Sequence, residues 1–212
     1  MKSEEIFREM DMNYEQLSAY LQEKYGKAKY DYFANEKCKS SNSRKNSRTK
    51  EGLILHHIDE DKAVCLSEGK CAAEYPFEYQ RAHRLTYCNY LEHLLLHILI
   101  AKKMYREKCI EMNKQGKSQC VSFITPGIQF ICWDINEMFF KKESQLEWRI
   151  RCFEEIEDNF DDYIYILRSF IDYIKNECDG KIDEKEEILY RIKKTISSIR
   201  GSGYIEMIYE RI

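Results

Sequence analysis

The sequence predicts a predominantly helical α+β protein. Three observations lead there. Apolar residues recur at helical spacing over most of the chain, Gly and Pro number only 8 and 2 in 212 residues, and a few short β-type runs fall together between positions 52 and 88. Aromatic residues reach 13%, more than a disordered chain carries, so a packed core is expected despite 33% charged residues. The length suits one large domain or two small ones.

Taken in order, residues 3–24 read as one amphipathic helix, with Ile6, Met10, Leu17, Tyr20 and Leu21 at helical spacing and Gly26 as its stop. Residues 37–50 (KCKSSNSRKNSRTK) hold six Lys or Arg, five Ser or Thr and no acid, the composition of a flexible basic segment. Residues 52–57 (GLILHH) read as a strand ending in two histidines. Asp59, Glu60 and Asp61 make an acidic turn, and residues 63–66 and 85–88 (LTYC) read as further short strands. Asn89 then caps a helix over residues 90–111. Gly116, Pro126 and Gly127 mark a break over 116–127. Helices follow over 128–142, 145–178 and 183–199, the second ended by Gly180 and the third N-capped by Asp183. Gly201 and Gly203 set off a last short piece, and Trp133, Met138, Phe139 and Trp148 read as core. The organisation is therefore an N-terminal helical segment (1–36), a basic linker with a compact core (37–115), and a C-terminal helical region (116–212).

Composition also excludes some functions. A net charge of −3 denies the chain a global positive field, so any nucleic-acid partner must be drawn by local patches. The nine Cys show no C-x-x-C spacing and read as reduced thiols of a cytosolic interior. The polar, acidic N-terminus is no signal peptide, and the longest apolar run, 94–101, is interrupted by His97 and too short for a bilayer. A cytoplasmic protein without a membrane partner is expected.

The histidines carry the functional signal. All five, His56, His57, His83, His93 and His97, fall between positions 56 and 97. His93 and His97 are four apart on a helix, so they share a face and can bind one ion; a hydrogen-bonded core pair is the alternative. Adjacent residues of a strand point to opposite faces. One of His56 and His57 can therefore reach an ion while the other stays free to accept a proton near neutral pH.

Through LILHHIDED and RLTYCNYLEHLLLH, over about residues 50–100, the chain resembles the HNH, or His-Me finger, endonuclease family. The resemblance implies a ββα-metal core in which His56, His93 and His97 ligate one divalent ion (Mg, Mn or Zn) and His57 is the general base. His57 would activate water for in-line attack on a phosphodiester, leaving a 5′-phosphate, and the ion would stabilise charge on the phosphate and departing oxygens. The family's middle Asn, which helps fix the loop that orients the base, is Arg84 here. Arg84 is assigned to the site as a phosphate-binding substitute, with weakened or lost activity as the alternative. Arg44, Lys45, Arg48, Lys50 and Arg81 flank the site as phosphate contacts. The activity implied is a metal-dependent endonuclease, on DNA ahead of RNA. The alternative is a catalytically weak or inactive HNH-like module that binds nucleic acid or protein, in a phage, defence or counter-defence setting. The C-terminal helices are the expected surface for a homodimer or a protein partner.

Overall fold

The computed structural model describes residues 3–104, 120–140, 146–177 and 182–197. These residues form a mostly helical α+β structure with one two-stranded antiparallel sheet among them. None of the described helices is long and apolar enough to cross a membrane.

The N-terminal pattern yields two helices where one was expected, α1 (Ser3–Met10) and α2 (Tyr14–Tyr25). The break is a reciprocal cap. The Asn13 side chain accepts from the Gln16 amide, and the Gln16 side chain accepts from the Asn13 amide, both at 2.9 Å. This local capping starts a new helix and buries Tyr14 at its first position. Gly26, at φ 81°, ends α2 in the left-handed region that side chains disfavour.

The basic segment is folded rather than an open linker. Asn46 is 3% exposed and grips both backbone groups of Tyr30, at 3.1 and 2.7 Å. Asn42 donates to the Asp31 carbonyl at 3.0 Å, and Phe33 and Cys38 pack against Ala72. Arg44, Lys45 and Lys50 remain exposed on this loop.

Strand β1 (Ile54–His57) pairs antiparallel with β2 (Leu85–Cys88), setting Ile54 opposite Cys88 and His57 opposite Leu85. Residues 63–66 form no strand, because Cys65 at φ 55° cannot continue an extended chain. A short helix, α3 (Gly69–Ala72), lies in the same connection.

β2 runs directly into α4 (Tyr90–Met104) through Asn89. The Asn89 side chain accepts from the amides of Leu91 (2.9 Å) and Glu92 (3.0 Å), while Glu92 accepts from the Asn89 amide at 2.7 Å. The expected positions 105–111 of this helix lie outside the described residues. Helix α4 is buried on most sides and packs against α1, α2, α5 (Cys120–Phe140) and a later helix, α7 (Phe160–Asp172).

Helix α5 runs through part of the expected break. An interior proline costs a helix about 3 kcal/mol, yet Pro126 sits inside α5. The buried stripe Ile128, Ile131, Cys132, Ile135 and Met138 carries the helix past it. The phase of that stripe leaves Trp133 51% exposed, and Trp148 is 38% exposed, so neither is the core residue expected. Residues 145–178 likewise divide, into α6 (Glu147–Glu154) and α7, with a π turn Tyr173–Glu177 extending the latter. Asn159 marks the division and donates to Asp162 in the first turn of α7 at 2.7 Å. Helix α8 (Ile182–Ser197) includes Asp183 within its first turn rather than at its cap, and the expected last short piece is outside the described residues.

A charge cluster ties α1, α2 and α4 together. Lys24 lies 2.6 Å from Glu92, 2.8 Å from Glu5 and 3.5 Å from Glu9, and both Glu9 and Glu92 are fully buried. One cation cannot balance three carboxylates, so burial, reinforced by the Glu92 charge, pushes the Glu9 carboxyl up from 4.5 to about 8. A raised carboxyl stabilises the fold fully below its unfolded value and loses that contribution as pH rises through its folded value. Glu9→Gln should therefore gain stability relative to wild type as pH rises from 4.5 to about 8. Denaturant melts below, within and above that window check this; a constant gap would give Glu9 an ordinary titration.

Candidate metal centre

His56 leaves the end of β1, and His93 and His97 stand one turn apart on α4. Because β2 pairs with β1 and leads straight into α4, the three rings converge. Their centroids are 5.3 Å (His56–His93), 5.3 Å (His56–His97) and 4.8 Å (His93–His97) apart. One ring nitrogen from each lies within 4.8 Å of the others, so the group can hold a metal ion.

Two further observations fit that role. Nδ1 of His56 and Nδ1 of His93 are buried without a hydrogen-bond partner, an arrangement that burial normally penalises. The tautomer of His56 follows from its neighbour. Tyr14 donates its one hydroxyl proton to the Ile58 carbonyl at 2.9 Å, so the His56 Nε2 that meets the same oxygen at 2.9 Å must carry a hydrogen. The lone pair is then on Nδ1, facing the cluster. Burial, above all, pushes the His56 imidazole down to about 3 and the His93 imidazole well below its usual range, so both stay neutral and able to ligate.

His57, on the opposite face of β1 from His56, is 2% exposed. Gln80, fully buried, donates to the Leu66 carbonyl at 3.2 Å, which turns its carbonyl oxygen toward His57 Nε2, also at 3.2 Å. His57 Nε2 is thereby the donor and Nδ1 holds the lone pair. The Tyr32 ring lies over His57 with centroids 4.5 Å apart, and the Tyr32 amide donates to the Gln80 carbonyl at 2.7 Å.

Glu60 reaches the histidines on both faces. Its Oε2 is 3.1 Å from His97 Nε2 and 3.7 Å from His56 Nδ1, and its Oε1 is 3.7 Å from His57 Nδ1. Burial raises this carboxyl and the imidazoles around it, of which His97 Nε2 is the nearest at 3.1 Å, lower it. Sequence reasoning took Glu60 only as part of an acidic turn. Its spacing of four and three from His56 and His57 was the available signal. Gln80 offered none, since it reaches His57 across a loop.

Arg84 directs both Nε (2.6 Å) and Nη2 (2.5 Å) to Asp59, which is 1% exposed and also meets Lys62 at 2.7 Å. The guanidinium thus ties the turn after β1 to the start of β2. Arg48 is bound to Glu51 and the Tyr25 carbonyl and lies over the Tyr87 ring, and Arg81 meets Asp31 at 2.9 Å. Lys45 stands 5.6 Å from the centroid of the Tyr30 ring. Arg44 and Lys50 are exposed with no carboxylate partner among the described residues. His83 is exposed and pairs with Glu78 at 2.9 Å, apart from the other four histidines.

The C-terminal region also reaches the centre. A Cβ on Gly127 would lie 2.2 Å from His97 Nδ1 and 2.6 Å from its Cε1, so only glycine lets α5 approach that ring. Comparison of the chain with protein-family models, curated proteins and solved structures finds no match.

Removing an outer-shell partner of a ligating His typically costs about 10–100-fold in metal affinity. Tyr14→Phe, which frees the His56 tautomer, should lose affinity on that scale in a chelator competition; unchanged affinity would mean another group sets the ring. Gly127→Ala should also weaken metal binding. In an unobstructed helix the same change stabilises by about 1 kcal/mol, so a variant that melts higher and binds metal normally would separate α5 from His97.

Proposed function

We propose that the chain is a metal-dependent endonuclease of the ββα-metal type, hydrolysing phosphodiester bonds in DNA. The reading rests on one observation: His56, His93 and His97 converge, and a single carboxylate reaches from them to the His57 lone pair. The order β1, β2, α4 and the placing of the His pairs on strand end and helix support the resemblance to the HNH family.

A divalent ion (Mg, Mn or Zn) in this group supplies a Lewis acid that stabilises charge on a phosphoryl oxygen and on the leaving oxygen. His57 acts as general base through Nδ1, the nitrogen that Gln80 leaves free. Two residues share the task that the family gives to its middle Asn. Arg84, at that position, pins the turn after His57 through Asp59, and Gln80 holds the ring itself. Both are positioning residues. Exposed Arg44, Lys45 and Lys50 supply local positive charge for the phosphate backbone, which a chain of net charge −3 needs.

A second reading has its own observation in its favour. His57 is 2% exposed beneath Tyr32, as suits a non-catalytic module of the same kind that keeps its metal and binds nucleic acid or protein. Cleavage of supercoiled plasmid with Mg²⁺ or Mn²⁺ separates the two. Wild type should cut, and His57→Ala should cut about 10²–10⁴-fold more slowly while retaining its metal affinity. Undiminished cleavage would remove His57 from the role of base. A metal-loaded wild type that cuts nothing would favour the binding module.

A further inference from the structure

We propose that Glu60 is the fourth, displaceable ligand of the His56–His93–His97 centre and keeps the site closed until a phosphate oxygen replaces it. The proposal rests on the metal-dependent reading above.

Bonds of about 2.0–2.1 Å in a tetrahedral site set neighbouring ligand atoms about 3.3–3.4 Å apart. Glu60 Oε2 lies 3.1 Å from His97 Nε2 and 3.7 Å from His56 Nδ1, on either side of that spacing. The three imidazoles offer ligand atoms within 4.8 Å of one another, and Glu60 adjoins them on the His56 and His97 side. A structural zinc site is closed by four protein ligands, whereas a catalytic one keeps a position for water or substrate. Glu60 supplies the fourth group, and whether it stays or leaves decides between the two.

The other carboxylate oxygen places Glu60 where substrate belongs. Oε1 is 3.7 Å from His57 Nδ1, so one side chain fills the space between the ligands and the base. A scissile phosphate and its attacking water must occupy that same space to be within reach of the base. His57 is 2% exposed, with Glu60 Oε1 on one nitrogen and the tilted Tyr32 ring beside it. A carboxylate oxygen and a phosphate oxygen are both hard anionic donors, so exchange replaces like with like at the ion.

The surrounding turn is built so that only this side chain has to move. Of the three acids in the 3₁₀ turn Ile58–Asp61, Asp59 is held by Arg84 and Lys62, and Asp61 meets Lys103 at 2.8 Å. Both carboxylates are thus engaged by cations. Glu60, between them, is the acid directed at the centre, and its side chain is 21% exposed, which leaves it an outward path.

Co²⁺, whose visible spectrum reports its ligands, is the probe. Wild type, Glu60→Ala and the isosteric Glu60→Gln are loaded with Co²⁺, their affinities measured by chelator competition, and inorganic phosphate titrated while the spectrum is followed. Loss of the fourth ligand should weaken Co²⁺ binding by at least about tenfold. It should also let phosphate change the spectrum at a concentration at least about tenfold lower than in wild type, by mass action against a departed competitor. Unchanged Co²⁺ affinity in both variants would overturn the ligation. An unchanged phosphate midpoint would overturn the displacement. Neither measurement involves cleavage. A wild type that exchanges Glu60 for phosphate but cuts no nucleic acid would retire the nuclease reading alone, while a chain that binds no Co²⁺ would overturn both.

Discussion

Three imidazoles gathered beside an apolar helix impose a constraint that orders much of the structure around them. Every ring nitrogen taken out of water needs a partner or carries a desolvation cost. Tyr14 provides one for His56 Nε2, Glu60 approaches His97 Nε2, and two Nδ1 atoms remain bare toward or within the cluster. Protonating His56 and His93 is opposed by burial, so the low-dielectric setting that leaves their lone pairs unsatisfied also keeps them available. The resulting site is costly as a set of core histidines and reasonable as a set of ligands. That asymmetry gives the metal reading its weight.

The centre is assembled from residues far apart in the chain, from Tyr14 to Gly127. Tyr14 comes from the start of α2, His56 and Glu60 from β1 and the turn after it, His93 and His97 from α4, and Gly127 from α5. The local cap at Asn13 matters here because it begins α2 at the tyrosine that sets the His56 tautomer. The Lys24 cluster matters because it fixes α1 and α2 against the first turn of α4, directly before His93. Tyr14 from the N-terminal segment and Gly127 from the C-terminal region both meet imidazoles of the middle region. Each region contributes a group that positions an imidazole.

Charge shows the same economy. Most of the cations near the histidines hold parts of the fold together: Arg48 joins the end of α2 to Glu51, Arg81 joins Asp31 to the loop before β2, and Arg84 secures Asp59. In a chain of net charge −3 such pairs are easily found, and a cation paired with a carboxylate is a weak phosphate ligand. The exposed positive patch is smaller than the basic composition of residues 37–50 suggests.

Local periodicity determined what could be read without coordinates. The i, i+4 spacing of His93 and His97, the alternation of His56 and His57 along a strand, and the cap at Asn89 each depend on neighbours within a turn or a strand step. Those features stand as written in the sequence. Tertiary structure decided the rest. The split of the first helix, the run of α5 through Pro126 and the exposure of Trp133 reflect competition between local caps and buried stripes that a single helical period does not resolve. Glu60, Gln80, Tyr14 and Gly127 acquire their places at the centre only when the turn after β1, the loop before β2 and helices α2 and α5 are brought together. Contacts made across loops leave no period behind, so of these residues only Glu60, three and four places after His57 and His56, left a signal in the order of residues.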